Sequence, residues 1–227
     1  MTTTRLNSPA FGRDVTLGSA FREFARHPSP WFIGVMFLGA LAARITIGSW
    51  SWADALVPLV MLALFPVLEW VIHVFVLHWR PRRLAGLTVD PLLARKHRAH
   101  HSDPRDIPLD FIPAPVFLWL TPLLLTITVF VAPRIEWGLT FLVTITALGL
   151  GYEWTHFLIH TDYKPRTVLY QATWRHHRNH HYRNEHYWFT VTTSGTADRL
   201  LGTEPDPDTV EKSPTAKHLH GLDNSSR

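Results

Sequence analysis

Residues 114–133 read APVFLWLTPLLLTITVFVAP, twenty positions without one charged side chain. A helix of roughly 20 residues crosses a hydrocarbon core of about 30 Å, so this run predicts a transmembrane helix. A second run, WGLTFLVTITALGLGY at 137–152, continues through Glu153 to about His160. Two weaker candidates precede them. Residues 31–49 carry Arg44, which can snorkel to the far interface, and residues 55–79 carry Pro58, Pro66 and Glu69. A buried helix of a soluble protein is the competing reading of each run, and it is weakest for 114–133. Short turns near 48–54 and 133–137 would join the four into two helical hairpins.

Of the 22 Lys and Arg, only Arg44 and Arg134 fall at the far side of these spans. That asymmetry predicts an integral, multi-pass membrane protein with both termini and the 80–113 loop in the cytoplasm. Trp31, Trp50, Trp52 and Trp79 lie near the span ends, as interfacial anchors do. The mean hydropathy of +0.02 hides this segregation, and the isoelectric point near 9.7 suits an anionic membrane surface. No recognition motif supports a nucleic-acid partner. The N-terminal segment has no compact apolar stretch of the kind a cleaved signal carries, and AFREFARH (20–27) reads as a short amphipathic interfacial helix. With no cysteine, disulfides, thiolate zinc sites and Cys-held iron–sulfur clusters are excluded.

Ten of the 15 histidines form four spaced groups. These are His73 and His78; His97, His100 and His101; His156 and His160; and His177, His180 and His181. Each group sits at the cytoplasmic end of an expected span or just after it, so topology alone gathers them. On a helix, positions i, i+3 and i+4 share a face, which is the spacing of HRAHH and HRNHH. His73 and His78 are five apart, about 140° around a regular helix, and need not serve one ion. Ten imidazoles exceed one ion's needs; two ions with about five each account for them. EWVIHVFVLH before HRAHH parallels EWTHFLIH before HRNHH, which predicts one half-site per hairpin. A pH-sensing cluster is a weaker reading, because protonating so many neighbours would be strongly repulsive. Imidazole suits iron, zinc, copper and nickel alike; a thiolate-free site facing cytoplasmic reductants favours iron.

In this order and between two hairpins, the four groups resemble the fatty acid hydroxylase/sterol desaturase superfamily of integral-membrane di-iron enzymes. The likeness covers roughly residues 55–203 and includes HHSDPRD (100–106) and NEHYWFTVTTSGTADRLLGT (184–203). The closing Asp-Arg-Leu-x-Gly-Thr runs from Asp198 to Thr203; where the family often has Trp before this Asp, the chain has Ala197. The resemblance implies that His73, His78, His97, His100, His101, His156, His160, His177, His180 and His181 bind two irons, with zinc a possible substitute. It implies no catalytic residue apart from these ligands, with O2 as co-substrate. The expected fold is all-α, an integral-membrane four-helix bundle with a cytoplasmic histidine-rich helical cap. Residues 1–30 would be an N-terminal cytoplasmic segment, 31–203 the oxygenase domain and 204–227 a polar tail, extended or disordered.

Around the ligands, Glu69 and Glu153 could each orient an imidazole or pair with an interfacial arginine. His176 falls outside the ligand frame and reads as a neighbour of the site or a solvent-facing residue. His186 could approach the metals or the substrate. His27, His218 and His220 read as bystanders, and Asp106 and Asp198 as loop pins. The expected activity is monooxygenation of an aliphatic lipid carbon (fatty acyl, sphingolipid or sterol-like), with lipid desaturation and carotenoid hydroxylation as rivals. Residues 1–30 are too short for a fused b-type cytochrome, so electrons would come from a separate reductase with ferredoxin or b-type cytochrome. Metal transport or storage is the non-enzyme alternative, but it requires ligands at several depths of the membrane.

Overall fold

Four helical segments long and apolar enough to cross a bilayer run Pro28–Ile47, Trp52–Leu77, Ile107–Val131 and Ile135–His160 in the computed structural model, which describes residues 8–222. Each overlaps an expected run. The first is helix α2 (Pro28–Ile47) and the second is built on α3 (Leu56–Ile72). The third begins earlier than its uncharged core, because short 3-10 turns at Ile107–Asp110 and Ala114–Val116 lead into α5 (Phe117–Thr126). The fourth is α6 (Ile135–His160). Its 26 residues rise about 39 Å against a core of about 30 Å, so its last turns, with His156 and His160, emerge on one side.

Helix α6 is the centre of the bundle, touching α2, α3 and the end of the third span. Ala40, Leu124 and Leu142 form the buried contact between α2, α5 and α6. Gly138 of α6 lies so close to the backbone of Thr128 that an added Cβ would collide with it, as small residues allow where membrane helices cross. Much of the remaining span surface is exposed and apolar, Leu38, Leu62, Leu118 and Phe130 among it, which is the surface lipid would cover.

Arg44 departs from expectation. It is buried rather than snorkelling: its guanidinium pairs with Asp54 at 2.9 Å, donates to Thr140 Oγ1 and to the Gly48 carbonyl, and sits 3.6 Å from the ring centre of Trp50. The carboxylate just across the turn supplies the counter-charge that a buried arginine needs.

The histidine-bearing side carries the other elements. Helix α1 (Leu17–Phe24) begins with a capping box at Thr16 and Ser19. Its Phe24 ring packs against Phe111, Trp154 and Phe157. Between the hairpins, β1 (Arg82–Leu84) and β2 (Leu87–Val89) form a small antiparallel ribbon, an addition to the all-α expectation. Ala85 and Gly86 both have positive φ, as a two-residue type I′ connection requires. Helices α4 (Leu92–Ser102) and α7 (Val168–Tyr182) form the cap, and α8 (Thr196–Leu200) follows. Buried Arg98 of α4 is clamped by both carboxylate oxygens of Asp90 at 2.8 and 2.6 Å.

Of the tail expected to be extended or disordered, residues 204–222 are tied down, and 223–227 lie outside the described residues. The Ser213 amide donates to the Arg183 carbonyl, Arg183 Nε to the Val210 carbonyl, and Thr215 Oγ1 to Glu185. Ala216 and Leu219 are buried. Polar, proline-punctuated composition suggested an unfolded tail, but these ties run largely through backbone groups, which composition does not reveal.

Candidate metal centre

The first histidine group depends on a local irregularity. After α3 the chain widens into one π-helical turn at His73–Leu77, closed by the His78 amide donating to the His73 carbonyl at 2.9 Å. An i→i+5 turn advances fewer degrees per residue than an α-helix, so His73 and His78 share a face; π-turns of this kind are frequent at functional sites. Their rings lie 4.9 Å apart. The 140° separation expected for a regular helix is thus corrected.

The structure brings all ten histidines into two clusters of five. One contains His73, His78, His97, His101 and His180; the other contains His100, His156, His160, His177 and His181. Within each, one ligand atom per ring lies within 4.8 Å of the others. The one-half-site-per-hairpin expectation therefore holds for four ligands of each cluster and fails for the fifth, because His100 and His180 are exchanged. On α4, His97 and His101 (i, i+4) face the first cluster while His100 turns to the second. On α7, His177 and His181 face the second while His180 turns to the first. The i+3 and i+4 positions differ by about 100° around the helix, so α4 and α7, whose histidine rings meet, each serve both clusters. The clusters touch, with His101 and His181 stacked at 4.2 Å between ring centres.

Hydrogen bonds set the ring tautomers. Nδ1–H donates to a backbone carbonyl from His73 (Phe189), His101 (Ala216, 2.8 Å), His156 (Asp110, 2.9 Å) and His180 (Tyr187, 2.7 Å). Each such ring, when neutral, presents a bare Nε2 lone pair. Yet Nε2 of His101 and Nε2 of His180 lie 3.2 Å apart. Similar approaches join His73 to His97, His97 to His101, His160 to His177 and His177 to His181, at 3.0–3.2 Å. In the His101–His180 pair, where both Nε2 atoms are bare, the lone pairs repel unless a cation lies between them. These spacings also suit neighbouring nitrogens on one ion at metal–nitrogen lengths of about 2.1 Å. The donor set therefore fits two imidazole-bound ions.

Charge agrees with this. Burial first, then neighbouring imidazoles, hold His78, His97, His100, His177 and His181 well below the ordinary histidine value. His101 is lowered likewise despite its bond to Ala216, and burial pushes His180 down to about 4. All seven are neutral at physiological pH, the form that binds metal.

Of the neighbouring candidates, Glu69, Glu153 and His186 are placed differently from expectation. Among the described residues Glu69 pairs with neither an imidazole nor an arginine: it accepts from the Thr192 amide and hydroxyl and from Thr193 Oγ1. Glu153 accepts from Ser29 Oγ and the Ile112 amide. Glu69 ties a loop to its span, whereas Glu153 joins α6 to α2 and to the start of the third span. His176 bonds Asp198 at 3.0 Å, outside both clusters. His186 is exposed, 3.6 Å from Glu185, and reaches neither cluster. Asp198 is a loop pin as expected, accepting from the Phe189 and Thr190 amides and the Thr190 and Thr203 hydroxyls; these bonds and His176 hold its carboxyl below the usual range against the effect of burial. Beside it, Trp188 is buried with φ 57°, a strained backbone flanked by the two carbonyls that orient His180 and His73. His220, read as a bystander, bonds the His78 carbonyl at 3.0 Å.

Two residues escaped the sequence reading. Asp110 lies 3.2 Å from Nδ1 of His100, and among the described residues its buried oxygens have no hydrogen-bond partner. It stands in an irregular segment, where spacing carries no signal. Tyr152 precedes His156 by one helical turn, a visible spacing, and its ring stacks on His156. Tyr152, His97 and His156 line an apolar cavity of about 360 Å³ that descends among the spans to Leu124, Ile145 and Gly149. Its size falls in the usual range of about 300–1,000 Å³ for small-molecule sites.

Among the described residues no third histidine or carboxylate cluster of this kind occurs, so ligands are not spread along the spans as metal permeation would need. The family model of fatty acid hydroxylases matches residues 58–203. No curated protein and no solved structure matches the chain. The family match covers well over half of the chain, which belongs to this oxidoreductase family.

Proposed function

We propose that this member of the fatty acid hydroxylase family is a membrane-bound di-iron monooxygenase that hydroxylates an aliphatic C–H bond of a lipid. Dioxygen, two electrons and two protons would convert R–H to R–OH and water. The observation that carries this reading is the contact between the two histidine clusters and an apolar cavity among the spans, with His97 and His156 belonging to both.

One ion would be held by His73, His78, His97, His101 and His180, the other by His100, His156, His160, His177 and His181. Bound iron supplies the redox chemistry that activates dioxygen and attacks an unactivated C–H bond. The chain does the rest. Carbonyls of Phe189, Ala216, Asp110 and Tyr187 lock ring orientation; such outer partners typically govern about 10–100-fold in metal affinity or activity. Apolar walls exclude water and hold the substrate chain against the histidines. The cavity's place among the spans suits a lipid arriving sideways from the bilayer. Electrons would come from a separate reductase with ferredoxin or b-type cytochrome, docking on the cytoplasmic face.

Turnover of lipid extracts in isotopic dioxygen tests the reaction. One labelled oxygen atom per lipid product is expected. A product that lacks label but has lost two hydrogens would mean desaturation, and no lipid product of either kind would contradict an oxygenase. Ring-hydroxylated carotenoid as the labelled product would relocate the substrate class without changing the chemistry.

A further inference from the structure

The apolar cavity does not end at the histidines. A second cavity of about 340 Å³ adjoins it on the outer side, and the two share Lys96, Leu109, Phe111 and Pro113 as walls. Of the inner cavity's carboxylates, Glu69 is engaged by Thr192 and Thr193, and Asp110 lies beside His100. Lys96 is different. It is exposed, it lines both cavities, and among the described residues its side chain has no ion-pair partner. A lysine at such a junction can lay its stem along apolar wall while its ammonium faces a polar ligand.

From these placements we infer that Lys96 is a specificity-determining residue that selects lipids with an anionic headgroup. The head occupies the outer cavity against its ammonium, and the hydrocarbon threads the inner one. This rests on the lipid-oxidising reading of the same site. The direction of the chain follows from the helix. Gly149 and Ile145, at the far end of the inner cavity, precede His156 by about 10 and 16 Å along α6, whereas Lys96 adjoins His97. The head is thus at the level of the histidines, and the carbons nearest it, rather than the chain end, pass His97 and His156. The shared chemistry is a carboxylate or phosphate on one alkyl chain.

The test uses the full chain in zwitterionic phosphatidylcholine nanodiscs at alkaline pH, with radiolabelled palmitate, hexadecyl phosphate and hexadecan-1-ol as probes. At least one anion should bind more tightly than the alcohol, by about tenfold or more, as a charged hydrogen bond provides; the leading anion identifies the head. Lys96→Met should bring that ratio to about one, while Lys96→Arg preserves it. Arg95→Met, an exposed neighbour that lines neither cavity, should also preserve it. Equal binding of all three probes to the native chain, or an unchanged ratio in Lys96→Met, would overturn the role of Lys96 and leave the lipid site standing. Binding of none of the probes would instead count against the lipid reading itself.

Discussion

His100 and His180 sit on one helix each yet serve the cluster filled mostly by the other. Removing either should therefore weaken a site whose remaining ligands come largely from the opposite hairpin. His180→Ala is expected to abolish hydroxylation and lower bound iron, whereas His186→Ala, whose exposed side chain reaches neither cluster, should change neither. Equal losses in both variants, read by metal analysis, would mean that the ligand set is misassigned. The depressed histidines also set a pH dependence. A histidine that resists protonation in the fold contributes stability fully above its unfolded value of 6.5, and loses it as pH falls toward the folded value. His180, pushed down to about 4, alone contributes on the order of 3 kcal/mol across that window. Metal-free protein should thus melt at progressively lower temperature between pH 6.5 and 4, and bound metal should dissociate over the same range. A melting temperature flat across this window would contradict neutral, buried rings. Asp198→Ala would strip the 188–203 segment of the acceptor for two amides and two hydroxyls; a loss of about 3–5 kcal/mol is expected, measurable by denaturant unfolding.

At the scale of elements, the spans were legible because apolar length is a sufficient signal for a bilayer crossing. The histidine groups were legible because three of them keep helix-face spacing, i, i+3, i+4 in HRAHH and HRNHH and i, i+4 at His156 and His160. Three features were not. HVFVL carries no mark that distinguishes an α-turn from the π-turn that aligns His73 with His78. The exchange of His100 and His180 depends on how α4 and α7 are rotated against each other, which spacing within one helix does not fix. The tail was hidden because its ties run through carbonyls, above all that of Ala216 on His101. Its role can be measured. Leu219→Asp would place a charge where the side chain is now buried, lifting the tail; bound iron should fall by about 10–100-fold in affinity while the spans stay folded by circular dichroism. Unchanged iron retention would make the tail a passive cover. On the opposite side of the bundle, Gly138→Ala forces a methyl into the Thr128 backbone, and a destabilisation of about 1–3 kcal/mol is expected from overpacking.

Across the whole molecule, one end of a four-span bundle carries both histidine clusters, the ribbon, α1 and the ordered tail, and the other carries two tight turns. The distribution of Lys and Arg favours the histidine face as cytoplasmic. Because the chain has no cysteine, a single Ser213→Cys or Ser51→Cys replacement gives a clean accessibility probe. A membrane-impermeant thiol reagent applied to intact cells should label Ser51→Cys alone; labelling of Ser213→Cys alone would reverse the orientation. Bringing chain-distant imidazoles to one membrane face is what the fold accomplishes, and the oxygenase reading depends on two ions lying there. Anomalous X-ray scattering at the iron edge, on crystals of protein purified with iron, measures this most directly. Two peaks are expected, one ringed by His73, His78, His97, His101 and His180, the other by His100, His156, His160, His177 and His181. A single peak shared by all ten, or iron bound elsewhere in the chain, would contradict a paired-ion centre.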